Sequence, residues 1–285
     1  MCESCTKHGE GKKWYLQAKN YSDDLLADTM RRSVITNFYT APGGIVPADS
    51  PLGKLNVFVQ TVPDFVRDTL NPYRRDVWLK MYRHQVLPIE DIEQIFTFLG
   101  SVVRLPCLCR QLRHAKEQRY CYGLSLKPEG GEFFKIIESI DKSFVYGPEA
   151  SGMERMSKEE ALNHFREYEY EGAFHAAYIF VEPYIAGICN CDRAECGPMQ
   201  TSLRSPTPTM ARGEYVAKIN MELCNGCRSC MMVCQFGALG FSVANKKISI
   251  DQRNCYGCGI CRVNCAQKAI SLVERSSVPA IANLW

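Results

Sequence analysis

Residues 224–234 read CNGCRSCMMVC and residues 255–265 read CYGCGICRVNC. Both follow C-x2-C-x2-C-x3-C, and their first cysteines lie 31 residues apart. The flanks repeat as well: YVAKINMELC leads into the first motif and KKISIDQRNC into the second, with QFGALGF and AQKAISL following. Each unit predicts a short strand, a cysteine loop, one helical turn and another strand. The chain holds an internal duplication.

This spacing has a chemical reason. Thiolates at i, i+3 and i+6 can wrap one corner of an iron–sulfur cube, and Gly226, Gly257 and Gly259 let the backbone come close and aim N–H groups at sulfide. The fourth thiolate then comes from the other repeat. The pattern resembles the bacterial-type dicluster ferredoxins over about residues 213–275. That resemblance implies one [4Fe–4S] cluster on Cys224, Cys227, Cys230 and Cys265, and a second on Cys255, Cys258, Cys261 and Cys234. It also implies electron transfer, because irons saturated by four thiolates take up electrons but no substrate. The sequence departs from the family where a proline usually follows the fourth cysteine: Gln235 and Ala266 stand there. Losing the proline relaxes the turn and leaves an N–H able to bond a sulfur, but removes no ligand. Zinc ribbons are the alternative, although they favour C-x2-C pairs over triplets with a trailing cysteine.

Sixteen cysteines in 285 residues mean either disulfides in a secreted protein or metal in a reducing compartment. The opening MCESCTKHGEGKKWY has no apolar signal core, and no run approaches the roughly 18 apolar residues of a membrane span. The expectation is a cytoplasmic metalloprotein. A net charge of +3, spread along the chain, calls for neither nucleic acid nor an anionic membrane. Over 213–275 eight Lys and Arg stand against four Asp and Glu, so no strongly acidic docking face is expected. A permanent redox partner fits as well as a diffusing one.

The fold expected is α+β. A mostly helical domain with a small strand pair would span 1–197, an extended linker 198–212, a ferredoxin-like βαβ-βαβ domain 213–275, and an apolar tail 276–285 tucked against the ferredoxin core. Helix signals include Ser22 ahead of Asp23 and Asp24, a helix from about Asp64 to Leu70, and Pro88 opening PIEDIEQIFTFLG. Ser157 and Glu160 form a capping box in a helix that stops at Gly172. AFHAAYIFVEPYIAGICNC reads as strand, turn at Glu182-Pro183, and strand.

Six further cysteines fall into two groups, Cys107, Cys109 and Cys121, then Cys189, Cys191 and Cys196. Each is a C-x-C pair with a third thiol, and each follows an apolar element able to deliver it to one place. The layout resembles the front domain of certain multi-cysteine 4Fe–4S binding proteins of anaerobic bacteria. The matching residues are Pro106, Cys107, Cys109, Arg110, Ile188, Cys189, Asn190 and Cys191. This resemblance implies an architecture but no activity. Four of the six thiols would hold a third [4Fe–4S] cluster, with a structural zinc site or inert buried thiols as alternatives. Cys2, Cys5 and His8 form a terminal C-x2-C-x2-H group that could supply a further metal site.

No dinucleotide, Walker or G-x-S-x-G motif is present. His84, His114, His164 and His175 read as satisfied surface or core residues, and RQLRHAKEQR at 110–119 as a solvated basic helix face. The expected function is electron transfer, as a subunit or dedicated partner of an anaerobic oxidoreductase. Two alternatives are a redox enzyme using an incompletely ligated front cluster or a flavin, and a zinc-stabilised interaction module tethering a ferredoxin.

Overall fold

A computed structural model describes residues 8, 12–40, 51–114, 118–140, 152–204 and 209–284. The fold is α+β. Its first part is built on a seven-stranded mixed sheet of order β4-β2-β3-β6-β5-β1-β7. The strands are β1 Tyr82–Leu87, β2 Ser101–Leu105, β3 Cys121–Ser125, β4 Glu154–Met156, β5 Phe174–Phe180, β6 Ile185–Cys191 and β7 Met210–Ala211. All neighbours pair antiparallel except β1 and β7, which run parallel.

The expected strand pair exists as β5 and β6, joined through a cis Glu182–Pro183 bond. It is not a small pair beside helices but the centre of that sheet. Every residue of both strands is buried, because helices cover both faces. A strand covered on two sides reads as a continuous apolar run, without the alternation that marks a half-exposed strand.

On one face lie Ile92, Ile95 and Phe96 of the helix Ile89–Phe98 and Phe165 of the helix Lys158–Glu171, packed with Trp14 and Tyr15. Ser157 and Glu160 close the expected capping box, and Gly172 ends the helix at φ 90°. The other face meets Val34 and Ile35 of Thr29–Thr40, Phe133 and Ile137 of Glu132–Ser139, and Cys121, Cys189, Cys191 and Cys196. Each fully buried side chain of this size contributes about 2 kcal/mol through burial.

The expected helix near Asp64 runs much further, to Met81. The expected extended linker is instead ordered in its described part. Gly197–Arg204 is helical, Met210–Ala211 forms β7, and the Thr209 hydroxyl donates to the Pro198 carbonyl at 3.0 Å. Serine and threonine hydroxyls that look like linker composition here close the local backbone.

The two cysteine motifs fold as anticipated from their repeats. β8 Tyr215–Ile219, the turn Ser229–Met232 and β9 Leu239–Ser242 form one unit. β10 Lys247–Ile250, the turn Ile260–Val263 and β11 Ile270–Glu274 form the other. β8 pairs with β11 and β9 with β10, so the outer strands of the two units close on each other. The apolar tail packs on this core through buried Ile281. Among the described residues no helix is long and apolar enough to cross a membrane.

Candidate metal centres

Behind the front sheet, two pockets lie where the halves of the duplication meet. One is lined by Cys224, Cys227, Cys230 and Cys265. The other is lined by Cys234, Cys255, Cys258 and Cys261. Three thiols of each set come from one repeat and the fourth from the other. The loops approach closely only because Gly226 and Gly257 adopt φ of 72° and 76°.

Backbone amides aim at the sulfurs: Ala217 donates to Cys255 at 3.4 Å, Ala238 to Cys234 at 3.3 Å and Ala269 to Cys265 at 3.3 Å. The two cavities differ in exposure. Cys227 is exposed, and hydrogen bonds from Ser229 hold its thiol below the ordinary value. Burial pushes Cys258 well up and Cys230 up to about 11.

The Cys258 cavity faces the front sheet. Phe236 on its wall stacks on Tyr256 at 4.1 Å and packs against Phe174 at 4.8 Å, and Phe174 is the register partner of Cys191.

The structure brings all six front cysteines together on one face. Cys121 and Cys189 are register partners on adjacent strands, with Sγ atoms 3.4 Å apart. Cys189 and Cys191 sit two residues apart on β6 and so share that face. Cys107 and Cys196 each precede a short helix, and the amides of Gln111 and Gln200 return to their carbonyls at 2.9 and 3.0 Å. Amides of Arg110 and Met199 also donate to the Cys107 and Cys196 sulfurs, and that of Gly197 to Cys109.

The Cys121 and Cys189 thiols hydrogen-bond to each other, and electrostatic interaction links Cys109 with Cys107, Cys107 with Cys121, Cys189 with Cys191 and Cys191 with Cys196. So dense a buried set cannot ionise uniformly. Bonds from Cys107 and Cys189 draw Cys121 down to about 6, and bonds from Cys189 and Cys196 draw Cys191 well below its ordinary range. Donation to a neighbouring thiol and then burial push Cys109 and Cys189 well up, and burial first of all raises Cys196.

His84 joins this group, contrary to its reading as a satisfied core histidine. Tyr82, His84 and Val86 alternate on β1, and Tyr82 and Val86 lie in the same core as the cysteines. A ring nitrogen of His84 and the sulfurs of Cys189 and Cys191 all lie within 4.8 Å of one another. The signal in the sequence was the period of two along YRHQV, which means little until that strand is placed beside β5.

Arg110 is likewise not on a solvated face. Its guanidinium is buried, paired with Asp192 and stacked 3.9 Å over Tyr120. It places a positive charge beside Cys107. His8 meets Glu214 at 2.8 Å, while Cys2 and Cys5 lie outside the described residues.

The family described as 4Fe-4S binding domain matches residues 217–240, from β8 through the first cysteine motif to β9. The chain thus carries an iron–sulfur domain of ferredoxin type, with an electron-transfer role and at least one [4Fe–4S] cluster. No curated protein matches the sequence.

Proposed function

We propose that the protein is a cytoplasmic iron–sulfur electron carrier, acting as a subunit or dedicated partner of an anaerobic oxidoreductase. One [4Fe–4S] cluster takes Cys224, Cys227, Cys230 and Cys265, and a second takes Cys255, Cys258, Cys261 and Cys234. The observation that carries this reading is the pair of cavities, each bounded by three cysteines of one repeat and one of the other. Four convergent thiols and inward-facing amides suit a thiolate-ligated cube.

When bound, each cluster supplies a one-electron couple. The chain's own residues set direction and access. Exposed Cys227, with exposed Leu223 and Met221 nearby in the chain, makes the first cavity the partner-facing end. Phe236 and Tyr256 wall the second, and Phe236 joins it to Phe174 of the front sheet. The six front thiols form a third metal centre. It extends the relay if it is iron–sulfur, and only frames the ferredoxin domain if it is zinc.

Iron and sulfide per chain in anaerobically purified protein test the reading. About eight irons in the C-terminal module are expected, and fewer than about six would exclude two cubes.

A further inference from the structure

The duplication is not symmetric around its two cavities. Arg275, the residue after β11, is wholly buried. Its Nε donates to the Gly213 carbonyl at 2.9 Å, and its Nη2 to the carbonyls of Tyr215 at 2.9 Å and Cys255 at 2.8 Å. Cys255 lines the second cavity. In the first repeat the equivalent position, 31 residues earlier, is Ala244, which is exposed and has no side-chain donor. Of the two motifs, only the second has an arginine clamped to the carbonyl of its first cysteine. That carbonyl and the Cys255 sulfur belong to one residue, so the guanidinium stands within about 7 Å of the sulfur.

The clamp also carries charge. Burial lowers the pKa of Arg275 only to about 10, so it stays a cation at neutral pH. Reduction adds one negative charge to an iron–sulfur cube, and a fixed cation nearby favours that state. At about 7 Å and an effective dielectric of about 20, one unit charge shifts such an equilibrium more than tenfold. In water the same charge is about four times weaker. Arg228 and Lys246 beside the first cavity are exposed and act at that weaker strength.

The other charges near the second cavity do not cancel the effect. Arg212 adds to it, its guanidinium 4.7 Å over the ring of Tyr256 on the cavity wall. Glu214 opposes it but meets His8 at 2.8 Å, and Arg262 is neutralised by Glu90 at 2.5 Å. Water is the remaining opponent, since it favours the reduced state wherever a cluster is wet. It reaches the first set of thiols at exposed Cys227, yet Cys224 and Cys230 of that set are buried. The buried cation outweighs one wet ligand.

We propose that Arg275 is a positioning residue for the second cluster. It holds the Cys255 loop and places a fixed buried charge that makes this cluster the more readily reduced of the two. Electrons entering at the exposed Cys227 end would then settle beneath the front sheet. The inference rests on the dicluster reading and adds to it a direction and the residue that sets it.

The full chain, purified without oxygen, is titrated potentiometrically and followed by EPR, with a soluble paramagnetic agent marking the exposed cluster. The shielded signal is expected to appear at the higher potential. Arg275→Gln, which can still donate but carries no charge, should lower the reduced-to-oxidised ratio of the shielded cluster about tenfold at a given potential. That is a shift of about 59 mV for one electron. The exposed cluster should not move. Arg275→Lys should keep the shielded potential near that of wild type while the thermal midpoint falls, because the charge remains and hydrogen bonds are lost.

An exposed cluster that is reduced first would overturn the inference, as would an Arg275→Gln protein in which both clusters shift equally or neither does. If the variants fail to fold, the order of reduction in wild type still decides. Two clusters titrating in the reverse order would sink this inference alone. Fewer than about six irons per chain would sink the dicluster reading and this inference with it.

Discussion

Gln235 donates through Nε2 to the carbonyl of Gly172 at 2.8 Å. Its Oε1 accepts from the Arg193 amide, also at 2.8 Å. Gly172 ends the helix Lys158–Glu171 and Arg193 follows β6, so one side chain ties the first cysteine motif to two elements of the front domain. Gln235 occupies the position where the resembling ferredoxins carry proline, a residue without such a side chain. Asn264 of the second motif repeats the device, donating to the Glu169 carbonyl at 3.0 Å. Gln235→Ala is expected to cost about 2 kcal/mol, roughly 1 for each net hydrogen bond lost. The thermal midpoint should fall while iron content stays constant. Loss of iron at an unchanged midpoint would mean that Gln235 serves the cluster and not the docking.

The crossing of the fourth cysteines gives a second prediction. Cys265 is the last cysteine of the second motif but lines the cavity of the first, and Cys234, the last of the first motif, lines the cavity of the second. Cys265→Ser should therefore perturb the cluster held with exposed Cys227, and Cys234→Ser the one beneath the front sheet. EPR of the reduced proteins separates them, because only the exposed cluster should relax readily with a soluble paramagnetic agent. If Cys265→Ser instead removes the shielded signal, the motifs do not exchange ligands.

The ferredoxin module was legible because its information is local: the spacing of thiols and two repeated flanks prescribe each loop without reference to distant residues. The front sheet was not. Strands such as Ser101–Leu105 and Cys121–Ser125 are short, and the centre of the sheet is buried on both faces, so neither length nor alternation marks them. Cys107, Cys109, Cys121, Cys189, Cys191 and Cys196 could be guessed to converge from their matching C-x-C pairs. His84 could not, because only the pairing of β1 with β5 and of β5 with β6 brings it to them. The helix Gly197–Arg204 hid in a stretch of Pro, Ser and Thr for the same reason, its order coming from contacts with β7.

Asp91 is wholly buried and accepts from Tyr15 at 2.6 Å, Tyr215 at 3.0 Å and Lys13 at 3.3 Å, joining the N-terminal segment, the helix Ile89–Phe98 and β8. Burial is the largest influence and raises its pKa, against the pull of those donors. The folded chain then holds the Asp91 proton more tightly than the unfolded chain does. Its contribution to stability is greatest below the ordinary carboxylate value, falls as pH rises through the raised value, and is level beyond it. Asp91→Asn should remove that slope, and Asp91→Ala should cost about 3 kcal/mol by stranding three donors. Urea midpoints of wild type and variant across the acid range test this, with cluster loss in acid cancelling in the difference. A wild-type contribution that rises with pH would show that the donors outweigh burial.

Gly257 lies between the first two cysteines of its motif at φ 76°, and a Cβ there would fall 2.2 Å from the Tyr215 carbonyl oxygen. That oxygen cannot retreat easily, since Arg275 donates to it at 2.9 Å and β8 is paired along its length with β11. Gly226 holds the equivalent place in the first motif, at φ 72°, with the Lys246 oxygen 2.1 Å from the same imagined atom. Gly152 has the same φ of 76° but nothing within 4 Å, so it isolates the backbone term. Gly152→Ala should cost only about 1–2 kcal/mol, the ordinary penalty of a left-handed residue. Gly257→Ala adds a clash with backbone, and should open the loop so that the protein keeps about half of its C-terminal iron. Gly226→Ala should lose the other half. Iron per chain and the thermal midpoint, measured for all three variants, decide the matter. A Gly257→Ala protein as mild as Gly152→Ala, with its iron intact, would mean that close approach of this loop is not what holds the second cluster.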